Sequence, residues 1–178
     1  MVSKVFEKLV NNRIVDHLEK CDLFSDFQYA FRSSRSTADL LTVVSDRIAR
    51  AFNRSGATRA VALDISKAFD RVWHAGLLHK LKSYGISGQI SQEYPINAGV
   101  PQGSILGPIL FLLYINDLAD DVICDIVIHA DDTTLYLKCD PASDLWQQLE
   151  LASELESDLR DTVDWGKKWL FDFNAGKS

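Results

Sequence analysis

A chain of 178 residues has the length of one domain, and a 47% hydrophobic content supplies enough apolar side chains to fill a core. Its net charge of -6 is less positive than a complete nucleic-acid binder would show, yet residues 1–90 carry 14 Lys/Arg against 9 Asp/Glu while residues 91–178 carry 5 against 16, so charge alone neither supports nor excludes such a partner. The longest apolar stretch, Ile105 to Ile115, is broken by Gly107 and Pro108 and falls short of a membrane span, so no membrane partner is expected.

The segment Met1 to Asn12 is amphipathic and lacks the apolar core of a signal peptide. Phe6, Leu9, Val10, Ile14 and Leu18 recur at helical spacing and predict one helix over Val5 to Glu19. An irregular, aromatic-rich stretch follows through Phe24, Phe27, Tyr29 and Phe31. A second helical period runs from Thr37 to Phe52, capped at Ser36 or Thr37 and ended by Gly56. Thr58 to Ile65 reads as a strand, Lys67 to Trp73 as the start of a short helix, and His74 to Tyr84 as a further helix closed by Gly85. Pro101 to Gly107 is a glycine-bounded loop leading into an apolar helix through Leu110, Leu113 and Tyr114. Ile123 to Ile128 and Thr133 to Leu137 predict a hairpin with two aspartates at its bend. Asp140-Pro141 is expected to start a long helix whose buried face is Leu145, Leu149, Ala152, Leu155, Leu159 and Val163. This order argues for a layered α/β or α+β domain with an antiparallel sheet. Cys21, Cys124 and Cys139 stand apart with no zinc-ligand spacing, which favours an intracellular, reducing setting.

Chemistry concentrates at the two acidic sites. Asp64 ends the apolar run Ala60-Val61-Ala62-Leu63, and Asp131-Asp132 follows Ile126-Val127-Ile128-His129-Ala130. A carboxylate beside such a core is costly unless paired or metal-bound, and adjacent carboxylates repel unless a cation relieves them. Mg²⁺ takes oxygen ligands of this kind and shares them with substrate phosphates. Two plainer readings stand beside that one: Asp64 as a cap for the next helix, and Asp131-Asp132 as an exposed hairpin turn. Because successive strand residues face opposite ways, Asp131 and Asp132 converge only if the bend turns one of them, and Asp131 is the better partner for Asp64.

Asp70 is expected to cap or pair locally, and Phe69 is either a sugar-stacking aromatic or an ordinary core residue. The loop Asn97 to Ser104 brings backbone close to a ligand through Gly99 and Gly103 and offers Gln102 to a base or sugar edge, or is a plain turn. Arg32 and Arg35 either grip a triphosphate or template, or are solvated surface arginines. His129 is read as partly packed beside the aspartates, while Trp146, Trp165 and Trp169 fit core packing or a lid better than base stacking. Lys177, just after Asn174, is either a proton donor to a leaving phosphate or part of a frayed tail.

Five ordered blocks carry a resemblance: Ser3 to Leu9; Phe27 to Arg32 with Arg35-Ser36-Thr37; Ala62 to Asp70; Ala98 to Ser104; and Ala130-Asp131-Asp132, followed by Trp165, Trp169, Asn174 and Lys177. Together they resemble the reverse transcriptase domain of non-LTR retrotransposons, most closely the jockey-like mobile elements. The resemblance implies an α+β right-hand polymerase palm, with an antiparallel sheet and packed helices, plus partial fingers. It divides the chain into partial fingers over 1–58 and palm over 59–178, with no thumb. It implies an RNA-directed DNA polymerase acting on an RNA template, a DNA primer and dNTPs, with two Mg²⁺ ions held by Asp64, Asp131 and Asp132. It further implies that Phe69 lies against the sugar, that Gln102 and Gly103 border the nascent pair, that Arg32 and Arg35 face nucleotide and template, and that Lys177 contacts substrate. The sequence departs from the family at His129, where Tyr or Phe is usual, and at Ala30, where Gly is usual. Only 13 residues separate Tyr84 from Ala98, which points to a shortening near residues 89–91. An inactive, retrotransposon-derived fragment serving as an interaction domain is the alternative. A Mg²⁺-dependent phosphatase or nuclease is a third reading, for which no nucleophile or base is evident.

Overall fold

The computed structural model describes residues 2–53, 57–88, 98–139 and 144–178. The expected shortening near residues 89–91, Asn97 and the proposed Asp140-Pro141 helix start lie outside them.

Among the described residues, five α-helices and three strands occur in the order α1 (Val2–Lys20), α2 (Thr37–Asn53), β1 (Ala57–Asp64), α3 (His74–Ser83), α4 (Leu106–Ile115), β2 (Asp125–His129), β3 (Asp132–Cys139) and α5 (Leu145–Lys168). The sheet is antiparallel with strand order β1-β3-β2. β3 is therefore central, and its first residue, Asp132, stands opposite Asp64 on one side and His129 on the other. The expected α+β class holds, with a small sheet packed against several helices.

Local chemistry explains most of the boundaries. Ser36 opens α2 with a reciprocal cap: its Oγ accepts from the Asp39 N–H at 3.2 Å, and the Asp39 carboxylate accepts from the Ser36 N–H at 2.8 Å. Gly85, at φ +74°, ends α3 in the left-handed conformation that glycine adopts without strain. The helix expected from Lys67 to Trp73 is one 3-10 turn, Ala68–Asp70, and Lys67 stands outside it, left-handed at φ +51°. The long C-terminal helix begins at Leu145, where Asp144 accepts from the Gln147 N–H and the Gln147 side chain returns the bond.

α4 is apolar on all sides, as a helix enclosed by others must be. It packs against α1 and α3, while α5 lies against β3 and α2 against β1. Tyr114 at its end is fully buried, its hydroxyl donating to the Trp169 carbonyl at 2.5 Å and its ring edge-on to Trp169 and Phe171. The face of α5 differs from expectation. Leu149 is 54% and Val163 39% exposed, and the buried positions are Leu155, Asp158, Thr162, Gly166 and Trp169, two of them polar. Trp165 and Trp169 join the core as expected, whereas Trp146 is 79% exposed. Among the described residues no helix is long and apolar enough to cross a membrane.

Lys80 of α3 is buried inside this aromatic cluster. Its Nζ lies 3.8 Å from the Trp169 ring centre and donates to the Tyr114 carbonyl and the Asp117 carboxylate, each at 2.5 Å. Burial pushes its pKa from 10.5 down to about 8, against the pull of Asp117. Between those two values the folded protein binds fewer protons than the unfolded chain, so this residue's contribution to stability rises with pH there. The stability of the wild type relative to Lys80→Met is accordingly expected to climb between pH 8 and 10. Thermal midpoints of the two proteins across that range check it, and a flat difference would refute the burial argument.

Candidate active site

The antiparallel pairing of β1 with β3 delivers carboxylates from distant parts of the chain to one end of the sheet. Asp64 closes β1 and Asp132 opens β3 directly opposite it, while Asp131 sits in the turn between β2 and β3. Ala130, at φ +57°, turns the backbone just before Asp131, yet the two adjacent aspartates do not converge. Asp131 and Asp64 then line one open cavity of about 570 Å³, whereas Asp132 is exposed on its strand and absent from that lining.

The cavity also takes in Phe69, Asp70, Gln102 and Lys177. Phe69 stacks on Phe111 of α4 at 4.5 Å, so one face of its ring is packed in the core while the residue lines the cavity. Gln102 donates to the Asp70 carboxylate at 3.3 Å, and Gly103 beside it has φ +75°. This loop is anchored from α1, where the Glu7 carboxylate accepts from Ser104 Oγ at 2.8 Å and from the Ile105 N–H at 2.7 Å. Those bonds hold Glu7 below the usual carboxylate range. Lys177 Nζ stands 3.6 Å from Asp64 Oδ2.

Arg32 and Arg35 lie apart from this lining. Arg32 donates to the Ser25 carbonyl at 2.8 Å, pairs with Glu19 and lies over the Phe24 ring. Arg35 pairs with Asp26 at 2.7 Å and lies over Tyr29. Both guanidiniums hold the loop between α1 and α2 together. His129 Nε2 is 3.1 Å from Thr37 Oγ1 and is half-buried, in keeping with its reading as a partly packed neighbour of the aspartates.

Two polar residues that position the site carry no motif of their own. Gln28 is 3% exposed, and its Oε1 accepts from the Ala30 N–H at 2.8 Å and the Ala130 N–H at 3.1 Å, bolting the α1–α2 loop to the turn that bears Asp131. Asn174 donates from Nδ2 to Asp64 Oδ2 at 3.2 Å. The only sequence signal for either is a polar residue inside a resemblance block.

Electrostatics single out Asp131. Its pKa is raised, first by desolvation and then by the charges of Asp132 and Asp64, with Lys177 acting in the opposite sense. A cation between Asp64 and Asp131 would relieve that repulsion. Among the described residues no three His, Cys, Asp or Glu side chains gather as a ligand cluster. The donor set therefore does not make a closed cage, but it suits a cation bound by one or two carboxylates and completed by substrate phosphate and water.

Comparison with known proteins covers the chain as a whole. The family profile "Reverse transcriptase (RNA-dependent DNA polymerase)" matches residues 1–178. The chain is 32% identical over 209 residues to "Probable RNA-directed DNA polymerase from transposon X-element" of Drosophila melanogaster. It is 30% identical over 205 residues to "Probable RNA-directed DNA polymerase from transposon BS" and 30% over 206 residues to "RNA-directed DNA polymerase from mobile element jockey", both of the same organism. Each alignment covers 99% of this chain and 22% of the relative, so the chain spans about a fifth of the length of these relatives.

Proposed function

Because the chain belongs to the reverse transcriptase (RNA-dependent DNA polymerase) family, we propose that it carries the catalytic centre of an RNA-directed DNA polymerase, joining dNTPs to a primer 3′-hydroxyl on an RNA template. The observation that carries this reading is one cavity lined by Asp64, Asp131, Phe69, Gln102 and Lys177, drawn from three resemblance blocks and the residues that follow them. In it Asp64 and Asp131 are the Mg²⁺ ligands, with Asp132 close by on β3. Bound there, Mg²⁺ supplies neutralising charge for the triphosphate and activation of the attacking hydroxyl.

The chain's own residues do the rest. Phe69, fixed by its stack on Phe111, presents a rigid edge to the sugar of the incoming nucleotide. Gln102 and Gly103 border the nascent pair, Gly103 allowing close backbone approach. Lys67 and Arg71, which also line the cavity, add positive charge beside the triphosphate, and Lys177 adds its own beside Asp64. Arg32 and Arg35 are proposed to act on template and nucleotide through the loop they brace. Residues 1–58 are proposed as partial fingers and 59–178 as palm. That the alignments with relatives exceed the 178 residues present supports an internal shortening, and its placement near 89–91 rests on the resemblance.

The second reading is an inactive retrotransposon-derived fragment serving as an interaction domain. Extension of a DNA primer on an RNA template with Mg²⁺ separates the two. Polymerase function requires extension by the wild type and its loss in Asp131→Asn. No extension by the wild type, under conditions where a full-length relative works, favours the fragment.

A further inference from the structure

Asp64 is held by a segment more than a hundred residues away in sequence. Residues 172–178 wrap the end of β1: the Asp172 carbonyl accepts from the Ser66 N–H at 2.9 Å, Phe173 bridges Ile65, and the Asn174 N–H donates to the Asp64 carbonyl at 2.8 Å. The Asn174 side chain then works in two directions. Its Oδ1 accepts from the Gly176 N–H at 3.1 Å, closing an Asx turn, and its Nδ2 donates to Asp64 Oδ2 at 3.2 Å. The Asn174 carbonyl accepts from the Lys177 and Ser178 N–H groups at 2.9 Å, so the turn is itself clamped.

We propose that Asn174 is the positioning residue of Asp64, its amide holding Oδ2 so that the carboxylate lining the cavity is oriented before a cation arrives. This rests on reading Asp64 as a cation ligand. A strand-end carboxylate is otherwise free to rotate about two side-chain torsions, and fixing it in advance removes that entropy from the binding step. A neutral amide suits the task, because it orients the oxygen while leaving the negative charge for the cation. Lys177 touches the same oxygen but is 70% exposed at 3.6 Å, so solvent and salt screen it and its flexible chain fixes little. Partners that orient a metal ligand in this way are worth about 10- to 100-fold in metal affinity.

The test is Mn²⁺ binding to the full chain without nucleic acid, read from the free-ion EPR signal, for the wild type, Asn174→Ser and Asp64→Asn. Serine keeps an acceptor for the Gly176 N–H but is too short to reach Asp64, which separates the tether from the turn. The wild type is expected to show a site lost in Asp64→Asn and weakened about tenfold in Asn174→Ser, with the thermal midpoint of the serine variant little changed. Equal affinity in wild type and Asn174→Ser overturns the proposal and leaves Asp64 as a cation ligand. Identical binding by wild type and Asp64→Asn overturns both. If Asn174→Ser does not fold, side-chain amide exchange in the wild type decides. One Nδ2 proton of Asn174 should exchange more slowly than those of the exposed Asn53 and lose that protection in Asp64→Ala; exchange as fast as that of Asn53 refutes the tether.

Discussion

Asp131→Asn is expected to abolish primer extension while leaving the fold as stable as the wild type, or more so. Asparagine keeps the shape of the side chain but removes the charge that Asp132 and Asp64 oppose and that burial disfavours. Loss of a group that stabilises developing charge costs on the order of 10²–10³-fold in rate, and a cation ligand is expected at or beyond the upper end. Stability moves the other way, and with a defined pH dependence. The folded pKa of Asp131 is raised, so the folded state binds more protons than the unfolded chain between the two pKa values, and stability falls as pH rises through that window. The advantage of Asn over Asp should therefore be present near neutral pH and vanish in acid, where Asp131 is protonated. Thermal midpoints of both proteins from about pH 4 to pH 8, run beside the extension assay, give the two readouts. A variant that is destabilised at neutral pH would show that Asp131 is tied down by structure and not held in unrelieved repulsion.

Asp158→Ala should be strongly damaging although it lies outside the cavity, at roughly 2–4 kcal/mol of folding stability. Asp158 is fully buried on α5, and its carboxylate accepts from the Ile123 N–H at 3.1 Å and the Cys124 N–H at 2.6 Å. Alanine would leave two backbone donors without partners just ahead of β2, one of them buried, and unmade bonds of this kind cost about 1–3 kcal/mol each. Asp158→Asn keeps one acceptor and should lose about half as much. Urea unfolding of the three proteins orders them. An alanine variant within about 0.5 kcal/mol of wild type would mean that water replaces the carboxylate there. Because β2 leads into the turn that bears Asp131, partial loss of extension activity should accompany the loss of stability.

The cavity's acids were legible because carboxylates ending apolar runs stand out, and the strand and hairpin around them are those short apolar runs themselves. Helix faces were less so. Counting only apolar residues put Leu149 and Val163 in the core, but the inner face of α5 runs through Asp158 and Thr162, each satisfied by a backbone partner. Periodicity cannot register a buried polar residue whose partner lies on another element. The same limit hid Gln28 and Asn174, which look like loop residues until tertiary structure supplies the N–H groups and carboxylate they serve. Arginines are ambiguous for a related reason: Arg32 and Arg35 have the charge for phosphate, yet carbonyls, carboxylates and aromatic faces of their own loop engage them. Lys67 could not be foreseen as left-handed, and that torsion leaves it outside the turn it was expected to open.

The strap over Asp64 also has a consequence in time. The central strand of the sheet is the last of the three to be synthesised, ending at Cys139, and the segment that fixes Asp64 begins at Asp172. At a translation rate of roughly 5–20 residues per second, a nascent chain would have all its strands for about two to seven seconds before the strap exists. During that interval the carboxylates can meet but Asp64 is not yet oriented. The growing polypeptide thus completes its sheet first and the strap over Asp64 only afterwards, once α5 has been made.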